Sequence, residues 1–252
     1  MPFPRKILIR TFLRTYLVGA CFNTRGMQNI GLELCMDPGL RALYPDPGEL
    51  QRARRRYVKL YNTHPYWTPL IVGVFLFLEQ KIAEGVMPAS SLPKVKSTMV
   101  YTLSAIGDSL FSGSVMVLWS LVAVLLLIQG WHGAALLWGV GAWTLLQLFK
   151  VYTFCRGVSE GIGVLQRLRT WKLMEWSGRI RLGNGLLMVC VWVMLFPLPL
   201  TWINWGAGAG ILAFFALLCL KLLRIRELLL VMFLFVWSLL PDFLEYVSLF
   251  EF

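Results

Sequence analysis

Between Ser97 and Phe149 the chain carries no Lys or Arg and a single carboxylate, Asp108: "STMVYTLSAIGDSLFSGSVMVLWSLVAVLLLIQ", then Gly130, then "WHGAALLWGVGAWTLLQLF". A helix needs about 20 apolar residues to cross a bilayer core, and in lipid every backbone N–H and C=O must find its partner within the segment or a closed barrel. Those two demands leave a hairpin of transmembrane helices turning at Gly130. The remaining composition agrees, with 58% hydrophobic residues and a mean hydropathy of +0.66, far from the half-apolar balance of soluble domains. The expected fold class is all-α, a polytopic integral membrane protein.

The basic residues set an expected topology. The 24 Lys and Arg outnumber 13 Asp and Glu, a net charge of +11, and they fall into Arg5 to Lys59, Lys81 to Lys96, Lys150 to Arg181 and Lys221 to Arg226. With every group cytoplasmic, each apolar stretch between groups must leave and return. The expected spans are about 97–128, 131–149, 183–203, 206–223 and 228–246, with a turn near "PLPLTWINWGAGAG", the N-terminus cytoplasmic and the acidic tail outside. That makes about five transmembrane helices in a membrane domain of residues 62–252.

Residues 62–85 break this pattern, because both flanks are basic. A helix from Pro69 to Glu84 rises roughly 24 Å against a core of about 30 Å. A re-entrant helical element satisfies both facts, with Thr68 as N-cap, Pro69 at N1 and Gly85 as the stop. A snorkelling full span is the alternative, and it inverts everything downstream.

Residues 1–61 read as amphipathic cytoplasmic or interfacial helices. Arg10 and Arg14 interrupt the apolar start, so it lacks the core of a secretory signal. Ile9, Phe12, Leu13, Tyr16 and Leu17 share a face, with Lys6, Arg10 and Arg14 off it. That suits a helix in the membrane interface or one packed on a partner subunit. Asp46, Pro47 and Glu49 make a helix start, followed by the stripe Leu50, Ala53, Tyr57 and Leu60. Arg52, Arg54, Arg55 and Arg56 read as a solvated or headgroup-facing surface, or as a dock for an acidic partner. In "FKVYTFCRGVSEGIGVLQRLRTWKL" the small residues Gly157, Ser159, Gly161 and Gly163 suit a helix that approaches others closely.

Several function classes drop out. The five cysteines are scattered, with no CxxC and no ligand spacing to His64 or His132, so neither a disulfide framework nor a metal site is expected. No GxSxG accompanies either histidine, and "WGAGAG" at 205–210 lacks the strand a nucleotide fold requires. Nothing points to nucleic acid. No covalent chemistry and no cofactor are expected.

What remains is a set of polar points within apolar surroundings. Asn62, Thr63, His64 and Pro65 precede the short helix, and non-helical backbone at membrane depth survives only where protein buries it or a wet cavity is lined by it; an ordinary turn capping an interfacial helix is the plainer reading. Glu79 and Gln80 lie one helix length on. Asp108 stands about 16 Å into a span, where an ionisable group must face a cavity, a partner or a break. Gly107, Ser109 and Gly113 permit such a break, and Gly-Asp can also cap a half-helix without touching a ligand.

In this order, "GMQNIGLELCMDPGLRALYPD", "YNTHPYWTPLIVGVFLFLEQ", "AIGDSLFSGS" and "CRGVSEGI" resemble the IID component of mannose-family sugar phosphotransferase systems, over most of residues 10 to 170. The resemblance implies a non-catalytic subunit of the bacterial cytoplasmic (inner) membrane that pairs with a IIC membrane subunit. Phosphate then travels through cytoplasmic IIA and IIB proteins to a hexose-type sugar. Met27 and Gln28 match the family's Met-Gln pair, Asn62, Thr63 and Pro65 its Asn-Thr-x-Pro, Glu79 its helix glutamate and Asp108 its Gly-Asp-Pro. Asn-aromatic-Glu-Arg-Met-Gln becomes Asn23, Thr24, Arg25, Gly26, Met27 and Gln28 here, Gly-Asp-Pro becomes Gly-Asp-Ser, and the polar stretch between the late spans shrinks to the Pro197 to Gly210 turn.

The leading expectation is therefore a permease subunit whose Gln28, Asn62, Thr63 and Glu79 exchange hydrogen bonds with sugar hydroxyls beside Asp108. Membrane lipids are the other expected contact. A regulatory or assembly subunit of an incomplete system, no longer moving sugar, is the alternative suggested by the altered motifs. A lipid-modifying membrane enzyme would rest on Asp108 and Glu79 alone.

Overall fold

The computed structural model describes residues 3–195, together with 201–203, 206, 208–210, 213–214, 217 and 231–232. The chain divides into two compact units, Met1–Val191 and Trp192–Phe252, and the architecture below is that of the first. Among the described residues every regular element is helical: α1 Arg5–Arg14, α2 Asn29–Leu43, α3 Pro47–Arg55, α4 Thr68–Ala83, α5 Leu92–Gly107, α6 Met116–Ile128, α7 His132–Glu160, α8 Val164–Thr170 and α9 Leu173–Met194. Two continuous helical stretches, Ala89–Ile128 and His132–Thr170, are long and apolar enough to cross a membrane. The spans expected at 206–223 and 228–246, and the turn before them, fall largely outside the described residues.

The local rules that start and stop these helices operate as the sequence dictates. Asp46 caps α3, its carboxylate accepting from the Glu49 amide at 2.8 Å. Gly85 and Gly130 lie at φ +72° and +75°, a region that costs a residue with a Cβ. Around each, two reversed hydrogen bonds close the preceding helix: Val86 to Lys81 and Gly85 to Ile82, then Trp131 to Leu126 and Gly130 to Leu127. This pairing satisfies carbonyls that the helix end leaves open.

At three points the structure departs from the sequence reading. Trp67, rather than Thr68, is the N-cap of α4, and Thr68 begins the helix with Pro69 behind it. Leu60 is exposed while Ala53 and Tyr57 are buried, because α3 ends at Arg55 and the helical register of the stripe ends with it. The Gly107 region does not split its helix in two. Asp108–Val115 form a π-helical stretch that joins α5 to α6 without interruption.

α4 is the centre of this unit. Eleven of its sixteen residues are buried, from Thr68 through Glu79. It crosses α7 at Gly73 and Gly157: a Cβ on Gly157 would lie 2.6 Å from the Leu70 carbonyl oxygen, and one on Gly73 would lie 2.5 Å from that of Phe154. Two backbones in contact exclude any larger residue, which is the packing geometry of small-residue helix pairs. The α6–α7 hairpin is different. Leu136, Leu137 and Leu145 are 68%, 76% and 68% exposed, an apolar outer surface of the kind that lipid covers.

Candidate functional site

Two chain segments are laced together ahead of α4. Met27 and Asn23 exchange backbone hydrogen bonds at 2.9 Å, the Gln28 amide donates to Tyr61 at 2.8 Å, and the Tyr61 amide donates to Gly26 at 3.2 Å. Asn23 organises the turn with its side chain: its Oδ1 accepts from the Gly26 amide at 2.8 Å and its Nδ2 donates to Asn29 at 2.8 Å. At Gly26, where the family motif carries a basic residue, a Cβ would fall 2.1 Å from the side-chain Nδ2 of Asn29, so any larger residue must displace the Asn29 side chain that the turn uses. The lacing sets Gln28 against the Asn62–Thr63 segment, with the Thr63 amide 3.4 Å from the Gln28 Oε1.

The opposite wall comes from α5 and the π-helical stretch. A Cβ on Gly107 would lie 2.4 Å from the His64 Cβ, so the glycine lets the His64 loop settle directly on the helix. Asp108, the next residue, then stands at the rim. The result is a depression of about 470 Å³ lined by Gln28, Asn62, Thr63, His64, Pro65, Tyr66, Ser104, Asp108, Ser112 and Met116, within the roughly 300–1,000 Å³ common to ligand sites. Thr63 is only 3% exposed, and its hydroxyl has no hydrogen-bond partner among the described residues.

His64 locks the two walls. Its Nδ1 receives the Tyr66 amide at 3.3 Å and its Nε2 is 3.1 Å from the Ser112 hydroxyl. A ring nitrogen that accepts a backbone N–H carries no proton itself, so the neutral imidazole donates from Nε2 to Ser112. The ring stacks on Phe111 at 5.1 Å and 25°. The Lys150 ammonium lies 4.4 and 5.0 Å from the centroids of the Tyr16 and Tyr66 rings, cation–π contacts that tie α7 to the site.

The π-helical stretch is itself held from behind. Ser114 donates to the Ser109 carbonyl at 2.8 Å and Ser177 to the same carbonyl at 2.9 Å, while Asn184 donates to the Ser114 carbonyl at 2.9 Å. A π turn disturbs the i to i−4 ladder, and α9 supplies hydroxyl and amide groups to the carbonyls this frees.

Glu79 stands apart from the depression. It is wholly buried, and its carboxylate receives the Arg56 Nε at 2.9 Å, the Arg56 Nη2 at 2.5 Å and the Tyr57 and Tyr44 hydroxyls at 2.8 Å each. With these donors in place it has no free oxygen for a sugar. Burial, then the facing carboxylate, push the Tyr44 hydroxyl above its ordinary range. Burial opposes the charge on Arg56, but its bonds to Glu79 raise it. Lys96 completes this block, its ammonium 3.3 Å from the carbonyls of Arg56 and Lys59 just past the end of α3, where a cation offsets the open carbonyls of a helix end.

Of the residues singled out from sequence, Gln28, Asn62, Thr63 and Asp108 therefore converge, and Glu79 does not. Sequence reasoning did not select His64, Tyr66, Ser104 or Ser112 as site residues. One signal was present: Ser104, Asp108, Ser112 and Met116 recur every fourth residue. An α-helix turns each fourth residue forward by about 40°, and the wider π turn, closing from i to i+5, compensates in the other direction and keeps them on one face.

Comparison with known proteins decides the family. The chain matches the PTS system mannose/fructose/sorbose family IID component over residues 3–235. It belongs to that family. This IID chain is 29% identical over 158 residues to the mannose-specific EIID component of Escherichia coli K12, covering 62% of this chain and 56% of that one. It is 25% identical over 175 residues to the fructose permease IID component of Bacillus subtilis strain 168, covering 68% and 64%. The chain thus spans little more than half the length of the curated relatives it matches. Its fold resembles a chain in the cryo-EM structure of the mannose transporter ManYZ with microcin E492, with a TM-score of 0.59 at 21% identity over 93% of this chain and 94% of that one. A solved membrane protein gives 0.66 at 24% identity over 75% and 70%. This IID chain carries two helical stretches long and apolar enough to cross a membrane.

Proposed function

We propose that this chain, with a IIC subunit in the bacterial inner membrane, forms the unit that moves a hexose-type sugar for phosphorylation by IIB, and that the sugar contacts Gln28, Asn62, Thr63 and Asp108. The observation that carries the reading is the convergence of these residues, from three separated stretches of chain, on one polar depression. Amide side chains offer both donor and acceptor, and a carboxylate offers two acceptor oxygens. A hexose stripped of water needs partners of both kinds, and each bond left unmade costs about 1–3 kcal/mol. Tyr66 and Met116 supply an apolar flank to the same depression. The IID chain then contributes binding and orientation, and the phosphoryl transfer belongs to IIB. Re-entry of residues 62–85 from the cytoplasmic side is part of this proposal, because it brings Asn62 and Thr63 to a sheltered depth.

The test is sugar binding and uptake by the chain reconstituted with a IIC subunit. Asn62→Ala and Asp108→Asn should each weaken binding roughly 10- to 100-fold, the equivalent of one lost buried hydrogen bond. Unchanged binding in both would remove the site assignment. Co-purification with IIC without uptake by the wild-type complex would favour an assembly or regulatory subunit, a reading supported by the altered Asn23 to Gln28 turn.

A further inference from the structure

A second cavity, of about 440 Å³, lies between α5, α8 and the start of α9 and shares no lining residue with the depression at Gln28, Asn62, Thr63 and Asp108. Met99, Leu103 and Leu168 are buried against it, so its floor is apolar. Its polar side chains are Thr98 and Thr102, one helical turn apart, with Arg169, Lys172 and Glu175. Lys172 is 3.3 Å from Glu175. Arg169 has no carboxylate in ion-pair range among the described residues.

Lys172 also carries an uncommon backbone. It lies at φ +48°, immediately after Trp171, the C-cap of α8, where glycine or asparagine is the residue without steric cost. A lysine kept in that conformation gives the chain a cation beside the cavity that a glycine could not. The surrounding basic group, Lys150 to Arg181, is the one the charge rule assigns to the cytoplasmic leaflet, where anionic lipids concentrate.

We propose that this cavity binds an anionic phospholipid. Its phosphate lies between Arg169 and Lys172, its ester oxygens meet the Thr98 and Thr102 hydroxyls, and an acyl chain runs over Leu103, Ile106 and Leu165. A planar guanidinium suits a phosphate, and the apolar floor suits a chain that free phosphate lacks. This assignment is independent of the sugar site.

Full-length protein in nonionic detergent should be titrated with dioleoylphosphatidylglycerol, with dioleoylphosphatidylcholine and with inorganic phosphate, following the melting temperature. Only the first should raise it. Arg169→Gln and Lys172→Gly should each weaken that response, shifting the titration midpoint about tenfold, the loss of one charge-assisted contact. Lys172→Gly relieves the backbone conformation, so its lipid-free melting temperature should hold or rise, separating lost binding from lost fold. An equal response to the choline lipid, a response to phosphate alone, or an unchanged midpoint in the double variant would overturn the proposal. A second arm places a fluorophore at Tyr101→Cys, exposed on α5 beside the cavity but not lining it, in a background without other cysteines, in the IIC complex reconstituted with brominated phosphatidylglycerol. Quenching is expected, and its absence would overturn lipid occupancy in the complex.

Discussion

α4 and the outer part of α7 are both apolar helices, yet they live in opposite surroundings. α4 is buried along most of its length, pinned by a glycine crossing and by a four-donor cage on its one carboxylate. The outer part of α7 holds Leu136, Leu145 and Leu148 at 68%, 68% and 60% exposure. Hydropathy alone cannot separate a helix that protein surrounds from one that lipid surrounds, since both avoid water equally. The small residues and the polar anchor tell them apart, because only contact between backbones excludes a Cβ and only protein can supply donors to a buried carboxylate.

The largest effect should come from the cage. Glu79→Ala leaves the Arg56 guanidinium without its counter-charge and should destabilise the protein by about 3–5 kcal/mol, seen as a lower melting temperature in detergent. Folded Glu79→Gln protein reconstituted with IIC should keep its sugar affinity, and a selective loss of affinity at unchanged stability would return Glu79 to the binding site. Next, Gly157→Leu should cost about 3 kcal/mol by driving the α4 and α7 backbones apart, whereas Gly139→Leu, where nothing lies within 4 Å of the added carbon, should be tolerated. Equal losses from the two glycines would dissolve the contrast between the buried and outward parts of α7.

A smaller effect should appear with acid. Burial opposes ionisation of Asp37, but hydrogen bonds from Arg54 and Arg41 outweigh it and hold its carboxyl below the ordinary value. A carboxylate depressed in the folded state stabilises fully above its unfolded pKa of about 3.9, and that contribution disappears as pH falls through the folded value. Wild type and Asp37→Asn should therefore differ in melting temperature at pH 6, with the gap starting to narrow below about pH 4 and closing only below the depressed folded value. A difference that persists undiminished at pH 3 would show that packing, not charge, holds this corner. The smallest change belongs to the outer hairpin, where Leu145→Ala should shift stability by no more than about 0.5 kcal/mol; a loss near that of a core leucine would place a protein neighbour there.

Much of the fold was legible in the sequence. The long run without basic residues, the Gly130 turn and the Asp46 cap are local rules, each needing only a few neighbours in the chain. Glu79 misled because a carboxylate at the end of an apolar helix has the same sequence signature whether it meets a ligand or an arginine. Arg56 seemed part of a solvated run, and only folding brings it across 23 positions to that carboxylate. His64 was named only as one polar point of the loop ahead of α4, because its partners, Ser112 and Phe111, lie far along the chain.

The sequence by itself determined that this is an all-helical membrane chain of the IID type, because apolar length, charge asymmetry and motif order are one-dimensional properties that survive without contacts. Only the tertiary structure decided which polar residues share a surface. Gln28, Asn62, Thr63 and Asp108 meet because backbone lacing at Met27 and Tyr61 and the missing Cβ of Gly107 allow two walls to close, and such juxtaposition is set by packing in three dimensions.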